Sequence, residues 1–164
     1  MKTLLVLRHG KSSWKNASLS DHERPLQRRG RRDATRMGKL LLREELVPDL
    51  IVSSSAERAL RTAEIAALAC DYEAEIEVTR AFYHAGPETY IERVQDLPSG
   101  YERVLVVGHN PGMEELVALL TGVDERFPTA ALAQIELPVE DWGELELSSE
   151  GQLINLWLPK EVDI

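Results

Sequence analysis

Histidine and arginine residues stand close behind three of the short apolar runs in this sequence. Arg8 and His9 follow the first run directly, and His109 follows the fourth after one glycine. Arg58 comes soon after the second run, behind the polar stretch 53–55. Taken singly, each of these residues is more often structural than functional. Their joint placement is what indicates a site.

The same residue types match the needs of phosphoryl transfer. Arginine offers a planar fork of donors that binds phosphate oxygens in pairs and stays charged at any working pH. A neutral imidazole is a competent nucleophile near pH 7, and a second histidine can supply hydrogen-bond donors or a proton. Helices that begin after Ser55 and after Pro111 would add backbone N–H groups and a favourable dipole.

Other catalytic chemistries lack their sequence signatures. No G-x-x-x-x-G-K-[ST] segment occurs, which argues against a P-loop nucleotide enzyme. Ile76, and not an arginine, stands six residues after Cys70, so the loop of a cysteine phosphatase is missing. H-E-x-x-H and G-x-S-x-G are missing too, and the four histidines have no metal-ligand spacing. The sequence therefore predicts a histidine mechanism with no metal and no cofactor.

Six short apolar runs predict the strands that would position these residues. Unbroken apolar runs are typical of strands that are covered on both faces. The runs span 3–7, 50–52, 76–78, 104–107, 131–137 and 153–158.

Stretches with helical periodicity lie between these runs, over 29–46, 55–70, 89–97 and 112–120. Pro111 opens the last of them and Gly122 closes it. The alternation predicts a three-layer α/β/α fold with a mostly parallel central sheet, and turn residues around the last two runs indicate an antiparallel edge. Ligands of such sheets bind beyond the carboxyl ends of the strands, where the histidines and arginines would stand.

Length and composition set the broad class of protein. The chain has 164 residues, 43% hydrophobic and 29% charged, which is typical of one folded domain over 1–164. Its net charge of -9 argues against nucleic acid or an anionic membrane as partner. The lone Cys70 excludes an internal disulfide. Because the first apolar run is too short for a signal-peptide core or a membrane span, we expect a cytoplasmic protein.

Charge is unevenly distributed along the chain. Residues 24–43 contain seven arginines, one lysine and one aspartate, whereas residues 101–164 contain 13 acidic and three basic residues. A basic run is usually the solvated face of a helix. It can also form a rim that attracts an acidic or phosphorylated protein, and the two interpretations are compatible.

An ordered set of motifs resembles the histidine phosphatase superfamily, whose best-known members are phosphoglycerate mutases. The motifs are Leu-Arg-His-Gly at 7–10, Arg-Pro-Leu at 24–26 with Gly30, Ser-Ser-Ser-Ala-Glu-Arg-Ala at 53–59 with Thr62, and Val-Gly-His-Asn-Pro-Gly at 107–112. The short length and the last motif are most similar to SixA-type phosphohistidine phosphatases. The resemblance implies a phosphoglycerate mutase-like minimal core.

The resemblance also implies roles for individual residues. His9 would be the nucleophile, phosphorylated transiently on a ring nitrogen. Arg8 and Arg58 would hold the phosphoryl oxygens, His109 would complete the phosphate pocket, and Arg24 would line its mouth. Two further motif residues are candidates for binding phosphate or substrate, Ser54 and Asn110.

The sequence departs from the family pattern at two points. Gln27 stands where the family commonly has a threonine that would cap the next helix, and a lost cap costs about 1 kcal/mol. Larger members use a glutamate or aspartate as general acid, and only Glu88 and His84 are nearby candidates here. Each also has a plain structural interpretation, as a carboxylate in the first turn of a helix and as a histidine in a surface loop.

A missing strong acid favours phosphohistidine as substrate, because a leaving imidazole needs less protonation than an alkoxide. The sequence thus predicts a metal-independent phosphatase acting on phosphohistidine of a protein, such as a histidine-phosphotransfer or phosphocarrier domain. A phosphatase of small phosphomonoesters with the same core is the alternative. A non-catalytic phosphate-binding module is less favoured, since binding alone does not require both histidines.

Overall fold

Six strands form one mixed sheet in the order β3-β2-β4-β1-β5-β6. The computed structural model describes residues 1–147 and 150–163. Strands β1 to β4 are mutually parallel, whereas β5 runs antiparallel to β1 and β6 antiparallel to β5, which confirms the predicted antiparallel edge. The strands are β1 (Lys2–Arg8), β2 (Leu50–Ser54), β3 (Ile76–Thr79), β4 (Arg103–Gly108), β5 (Leu132–Leu137) and β6 (Gln152–Trp157).

Four α-helices connect the parallel strands or follow them. They are α1 (Arg28–Arg43), α2 (Glu57–Ala69), α3 (Pro87–Gln95) and α4 (Gly112–Thr121). As predicted, α4 ends at Gly122, whose φ of 74° is in the left-handed region that glycine tolerates. The first helix ends three residues earlier than the sequence indicated, because Glu45 leaves the helical conformation with a φ of 56°.

Alternate side chains of β1 enter two different cores. Leu5 and Leu7 pack in the core that contains the buried faces of α1 and α2. Leu4 and Val6 pack on the opposite side, in the core that contains the buried faces of α3 and α4. The helices therefore cover both faces of the sheet, which confirms the predicted three-layer α/β/α fold.

Close packing of α1 against α2 fixes the helix that carries Arg58. A side-chain carbon added at Gly38 would lie 2.5 Å from the carbonyl oxygen of Ala66, so the two helix backbones approach each other at this glycine. The N-terminal turn of α2, with Arg58 at its second position, is therefore held at a set distance from α1.

Gln27 makes no capping hydrogen bond to α1, as the sequence indicated. Its side-chain amide instead donates to the carbonyl of Ser12 at 3.1 Å. This contact ties the start of α1 to the segment that follows β1.

None of the helices in 1–147 and 150–163 combines the length and apolar character needed to cross a bilayer. The single-domain organisation and the cytoplasmic location stay predictions.

Candidate active site

The pairing of β1 with β4 brings the two histidines together. Arg8 is the register partner of Gly108, so the next residue of each strand, His9 and His109, leaves the sheet at the same point. The backbone N–H of His9 donates to the carbonyl of Gly108 at 3.1 Å. The two imidazole rings lie with their centroids 5.1 Å apart and their planes at 55°.

His9 is held in one tautomer by the backbone. Its Nδ1 lies 2.8 Å from the carbonyl oxygen of Gly10, and because a carbonyl only accepts, Nδ1 carries the proton. The neutral ring then has a bare lone pair on Nε2. Burial, together with the positive charges of Arg58 and Arg8, lowers the pKa of His9 from its ordinary 6.5 to about 3. His9 is therefore a neutral imidazole with a free Nε2 at physiological pH.

His109 is held by a side-chain contact instead. Its Nε2 lies 2.8 Å from Ser54 Oγ, which also accepts the N–H of Ala56 at 3.2 Å. Because a hydroxyl can donate and accept at once, this contact orients the ring of His109 in either tautomer. Burial, followed by the nearby His9 and Arg58, lowers the pKa of His109 to about 3. The Nδ1 atom of His109 is buried and has no hydrogen-bond partner among the described residues.

Arg8 and Arg58 bring two guanidinium groups to the same region. Arg8 Nη1 donates to the Phe127 carbonyl at 3.2 Å. Both terminal nitrogens of Arg58 donate to Asp21, one to its backbone carbonyl and one to its carboxylate. The Nε atoms of Arg8 and Arg58 are buried and have no hydrogen-bond partner among the described residues. Four buried side-chain nitrogen or oxygen atoms in that part of the chain lack a hydrogen-bond partner, and three of them belong to Arg8, Arg58 and His109.

These three residues and His9 line one cavity of about 420 Å³. Arg8 and Arg58 therefore bring two positive charges to the wall beside His9. A tetrahedral oxyanion in this cavity would meet these guanidinium groups, and charged guanidinium donors bind such an anion strongly. The donor set therefore fits a phosphoryl group beside His9.

A carboxylate that the sequence analysis missed organises the arginines. Asp21 lies on a single 3-10 turn (Asp21–Glu23) and accepts hydrogen bonds from Arg24 Nε at 3.0 Å, Arg58 Nη2 at 3.1 Å and the Tyr83 hydroxyl at 2.6 Å. The hydrogen bond from Tyr83, with those from the two arginines, holds the pKa of Asp21 well below its usual range. Asp21 is thus a permanent anion, and it orients donors instead of giving up a proton.

Arg24 is one of the residues that line the cavity. It is only 7% exposed, and it donates to Ser12 Oγ at 2.8 Å as well as to Asp21. His22, beside Asp21, lies with its Nε2 2.9 Å from Ser55 Oγ and so ties the 3-10 turn to the end of β2.

Asn110 lines the cavity and also supports it. Its side-chain amide donates to the Phe127 carbonyl at 2.8 Å, the same carbonyl that Arg8 reaches. Its side-chain oxygen accepts the backbone N–H of Glu114 at 3.2 Å. Asn110 therefore joins the loop that anchors Arg8 to the start of α4.

Two of the sequence-based candidates are placed differently from what was expected. Ser54 is fully buried behind His109 and is not part of the cavity wall, because the end of β2 points it at the imidazole. Glu88 lies in a separate surface depression with Glu114 and Glu115, because the first turn of α3 faces away from the cavity. His84 does line the cavity, with a left-handed φ of 60° and its ring centroid 4.0 Å from that of Tyr83.

The depressed pKa values of His9 and His109 give a prediction for stability. The unfolded chain, whose imidazoles titrate near 6.5, takes up protons below that pH that the folded chain excludes. The free energy of unfolding should therefore fall between pH 7 and pH 5, by up to about 1.4 kcal/mol per pH unit for each histidine. Urea unfolding at both pH values measures this slope.

Asp21 does not contribute to the change in the free energy of unfolding between pH 7 and pH 5, since its ordinary pKa of 3.8 lies below that range. Single His9→Asn and His109→Asn variants should each flatten the slope, because each removes one excluded proton. A slope in either variant equal to that of the wild type would contradict the buried neutral state of that histidine.

Comparison with known proteins assigns the family. A family model described as histidine phosphatase superfamily (branch 1) matches residues 4–82. An uncharacterized chloroplastic protein of Arabidopsis thaliana is 32% identical over 160 residues, which cover 92% of this chain and 73% of the relative.

Two solved structures have the same fold. One is a candidate phosphohistidine phosphatase SixA from Agrobacterium tumefaciens, 27% identical, with a TM-score of 0.83 over 96% of this chain and 98% of that one. The other is the protein histidine phosphatase SixA in complex with tungstate, 24% identical, with a TM-score of 0.84 over 98% and 99%. The chain belongs to the histidine phosphatase superfamily, and its fold is of the SixA type.

Proposed function

We propose that this protein is a metal-independent phosphatase that removes the phosphoryl group from phosphohistidine on another protein, through a phosphorylated intermediate on His9. Membership of the superfamily supports phosphatase chemistry in general. The observation that carries the proposal is the convergence of Arg8, Arg58 and His109 with His9, whose Nε2 is free, on one cavity. The name of one relative of the same fold, a SixA bound to tungstate, also supports an oxyanion site.

In the first step His9 Nε2 attacks the phosphorus of the substrate. The new P–N bond to His9 forms as the bond to the substrate's ring nitrogen breaks, and the electron pair of that bond leaves with the substrate imidazole. His9 Nδ1 keeps its proton throughout and donates it in a hydrogen bond to the Gly10 carbonyl. Arg8, Arg58 and His109 stabilise the charge on the transferring oxygens, the main contribution a protein makes to phosphoryl transfer.

In the second step water attacks the same phosphorus from the side opposite His9. The P–N bond breaks, its electron pair returns to Nε2, and inorganic phosphate leaves with the oxygen of the water. One proton of that water goes to His84, which gave a proton to the leaving imidazole in the first step. The site is then restored for another cycle.

The choice of phosphohistidine is supported by the acids at the cavity. Asp21 is the one carboxylate among the described residues that line it, and three hydrogen bonds keep that group ionised. Glu88 lies outside the cavity. A leaving imidazole needs little protonation, whereas an alkoxide needs a positioned acid. Of the predicted acids His84 alone lines the cavity, and we assign it the supply of a proton to the leaving nitrogen.

We expect Arg58→Ala to lower kcat/KM by about 10²–10³-fold, because it removes a buried donor to the transferring oxygens. Arg61→Ala is the matched control, since Arg61 stands one turn further along α2, is 51% exposed and forms an ion pair with Glu64. Steady-state kinetics of both variants, with circular dichroism to verify the fold, test this. Equal losses in the two variants would mean that Arg58 acts through general charge and not through the phosphoryl group.

The substrate class is tested by phosphate release in the presence of a chelator. A protein that carries phosphohistidine is compared with p-nitrophenyl phosphate, with His9→Ala as the blank. We expect strong preference for the phosphoprotein and a loss of about 10⁴-fold or more in the blank.

Preference for the ester would move the function to small phosphomonoesters with the same mechanism. Release from neither substrate would favour a phosphate-binding module. Turnover by His9→Ala near the wild-type rate would overturn the nucleophile.

A further inference from the structure

One aromatic residue at the rim of the cavity has no role in the chemistry above. Trp14 lines the cavity yet is 73% exposed. A single exposed apolar side chain needs no explanation in general. Trp14 differs because the guanidinium carbon of Arg24 lies 3.4 Å from the centre of its ring. The indole is stacked on a residue of the cavity mouth and offers its other face to solvent.

Arg24 is a well-anchored support for this stack. Arg24 is 7% exposed and is held by three hydrogen bonds, to Asp21 Oδ1, to Ser12 Oγ and to the Ser13 carbonyl. Trp14 therefore rests on a fixed support, although its own side chain is exposed. An ordered aromatic surface loses little conformational entropy when a partner covers it, and tryptophan is prominent among residues that dominate protein interfaces.

A basic groove of about 520 Å³ lies next to Trp14, between the segment after β1 and the start of α1. None of the described residues that line it is acidic. Arg29 pairs with Asp33 and Arg31 donates to the Leu26 carbonyl, but Lys15 and Arg28 have no anionic partner within 1–147 and 150–163. The lining residues are Ser13, Lys15, Pro25, Leu26, Gln27, Arg28, Arg29 and Arg31. The groove is therefore a positively charged surface with free cations, on a chain whose net charge is -9.

We propose that Trp14 and this basic groove dock the acidic surface of the protein whose phosphohistidine enters the cavity; this rests on the function proposed above. Ser13 lines the groove while Ser12 and Trp14 line the cavity, so the two surfaces are continuous. A partner whose phosphorylated side chain reaches His9 places its surrounding surface on the indole and on Lys15 and Arg28. Complementary charge steers such an encounter and fixes its orientation. A small phosphoryl compound fills the cavity alone and does not use the groove.

The test compares an acidic histidine-phosphotransfer domain, phosphorylated on its histidine, with free phosphohistidine. We expect the double variant Lys15→Glu/Arg28→Glu to raise KM for the phosphoprotein tenfold or more at low salt. Its kcat/KM for free phosphohistidine should change less than twofold. The difference from wild type should shrink at high salt, because exposed charges are then screened.

Arg32→Glu/Lys39→Glu is the matched control. It makes the same change of charge on exposed parts of α1, outside the groove, and should leave KM for the phosphoprotein within twofold of wild type. Trp14→Ala should lower kcat/KM for the phosphoprotein at least tenfold more than for free phosphohistidine, and Trp14→Phe should recover part of that loss.

The outcomes separate this inference from the function on which it rests. Equal effects of the groove variant on both substrates, or equal effects of the groove and control variants, would overturn the docking surface. Wild-type hydrolysis of free phosphohistidine but not of the phosphoprotein would overturn it as well, and leave the chemistry standing. A single-stranded oligonucleotide that inhibits wild type but not the groove variant would assign the groove to nucleic acid instead. Hydrolysis of neither substrate would overturn the proposed function itself.

Discussion

Parallel pairing of β1 with β4 sets the distance between the two imidazoles, and the other groups of the site are built around that pair. The register partners Arg8 and Gly108 end their strands together, and a backbone hydrogen bond of 3.1 Å continues the pairing to His9. Strand β2, on the other side of β4, then delivers Ser54 to His109. Because these contacts involve the backbone of buried strands, the site is fixed by the same interactions that hold the sheet together.

Electrostatic balance is the second constraint. Three arginines stand close to two histidines, and burial with this positive field keeps both rings neutral. Asp21 supplies one anion for Arg24 and Arg58, and so prevents the guanidinium groups from pushing one another apart. The balance is incomplete, because Asp21 is the one carboxylate among the described residues of the cavity wall, which also contains Arg8, Arg24 and Arg58. An anion such as a phosphoryl group would complete it.

Much of this arrangement is predictable from the sequence, and the failures have a physical pattern. Short apolar runs located every described strand to within two residues. For the inner strands β1, β2 and β4 the reason is burial on both faces, which requires unbroken apolar runs. Position at strand ends then predicted that His9, His109 and Arg58 lie at one edge of the sheet, and in the structure they line one cavity. Asp21 was missed because its partners Arg58 and Tyr83 are 37 and 62 residues away, and only the fold brings them together. Glu88 was a candidate for the general acid but lies outside the cavity, because its position in the sequence does not show which way the first turn of the helix faces.

The central claim is that His9 carries the phosphoryl group during turnover, and trapping that intermediate tests it most directly. Wild-type protein mixed with a phosphohistidine-bearing protein is quenched in alkali within milliseconds, since a phosphorylated imidazole survives alkali better than acid. Peptide mass spectrometry then locates the phosphate. The account predicts phosphate on His9 alone, formed faster than inorganic phosphate appears and absent in His9→Ala. Release of inorganic phosphate with no labelled His9 at any quench time, or label on another residue that turns over at the same rate, would contradict it.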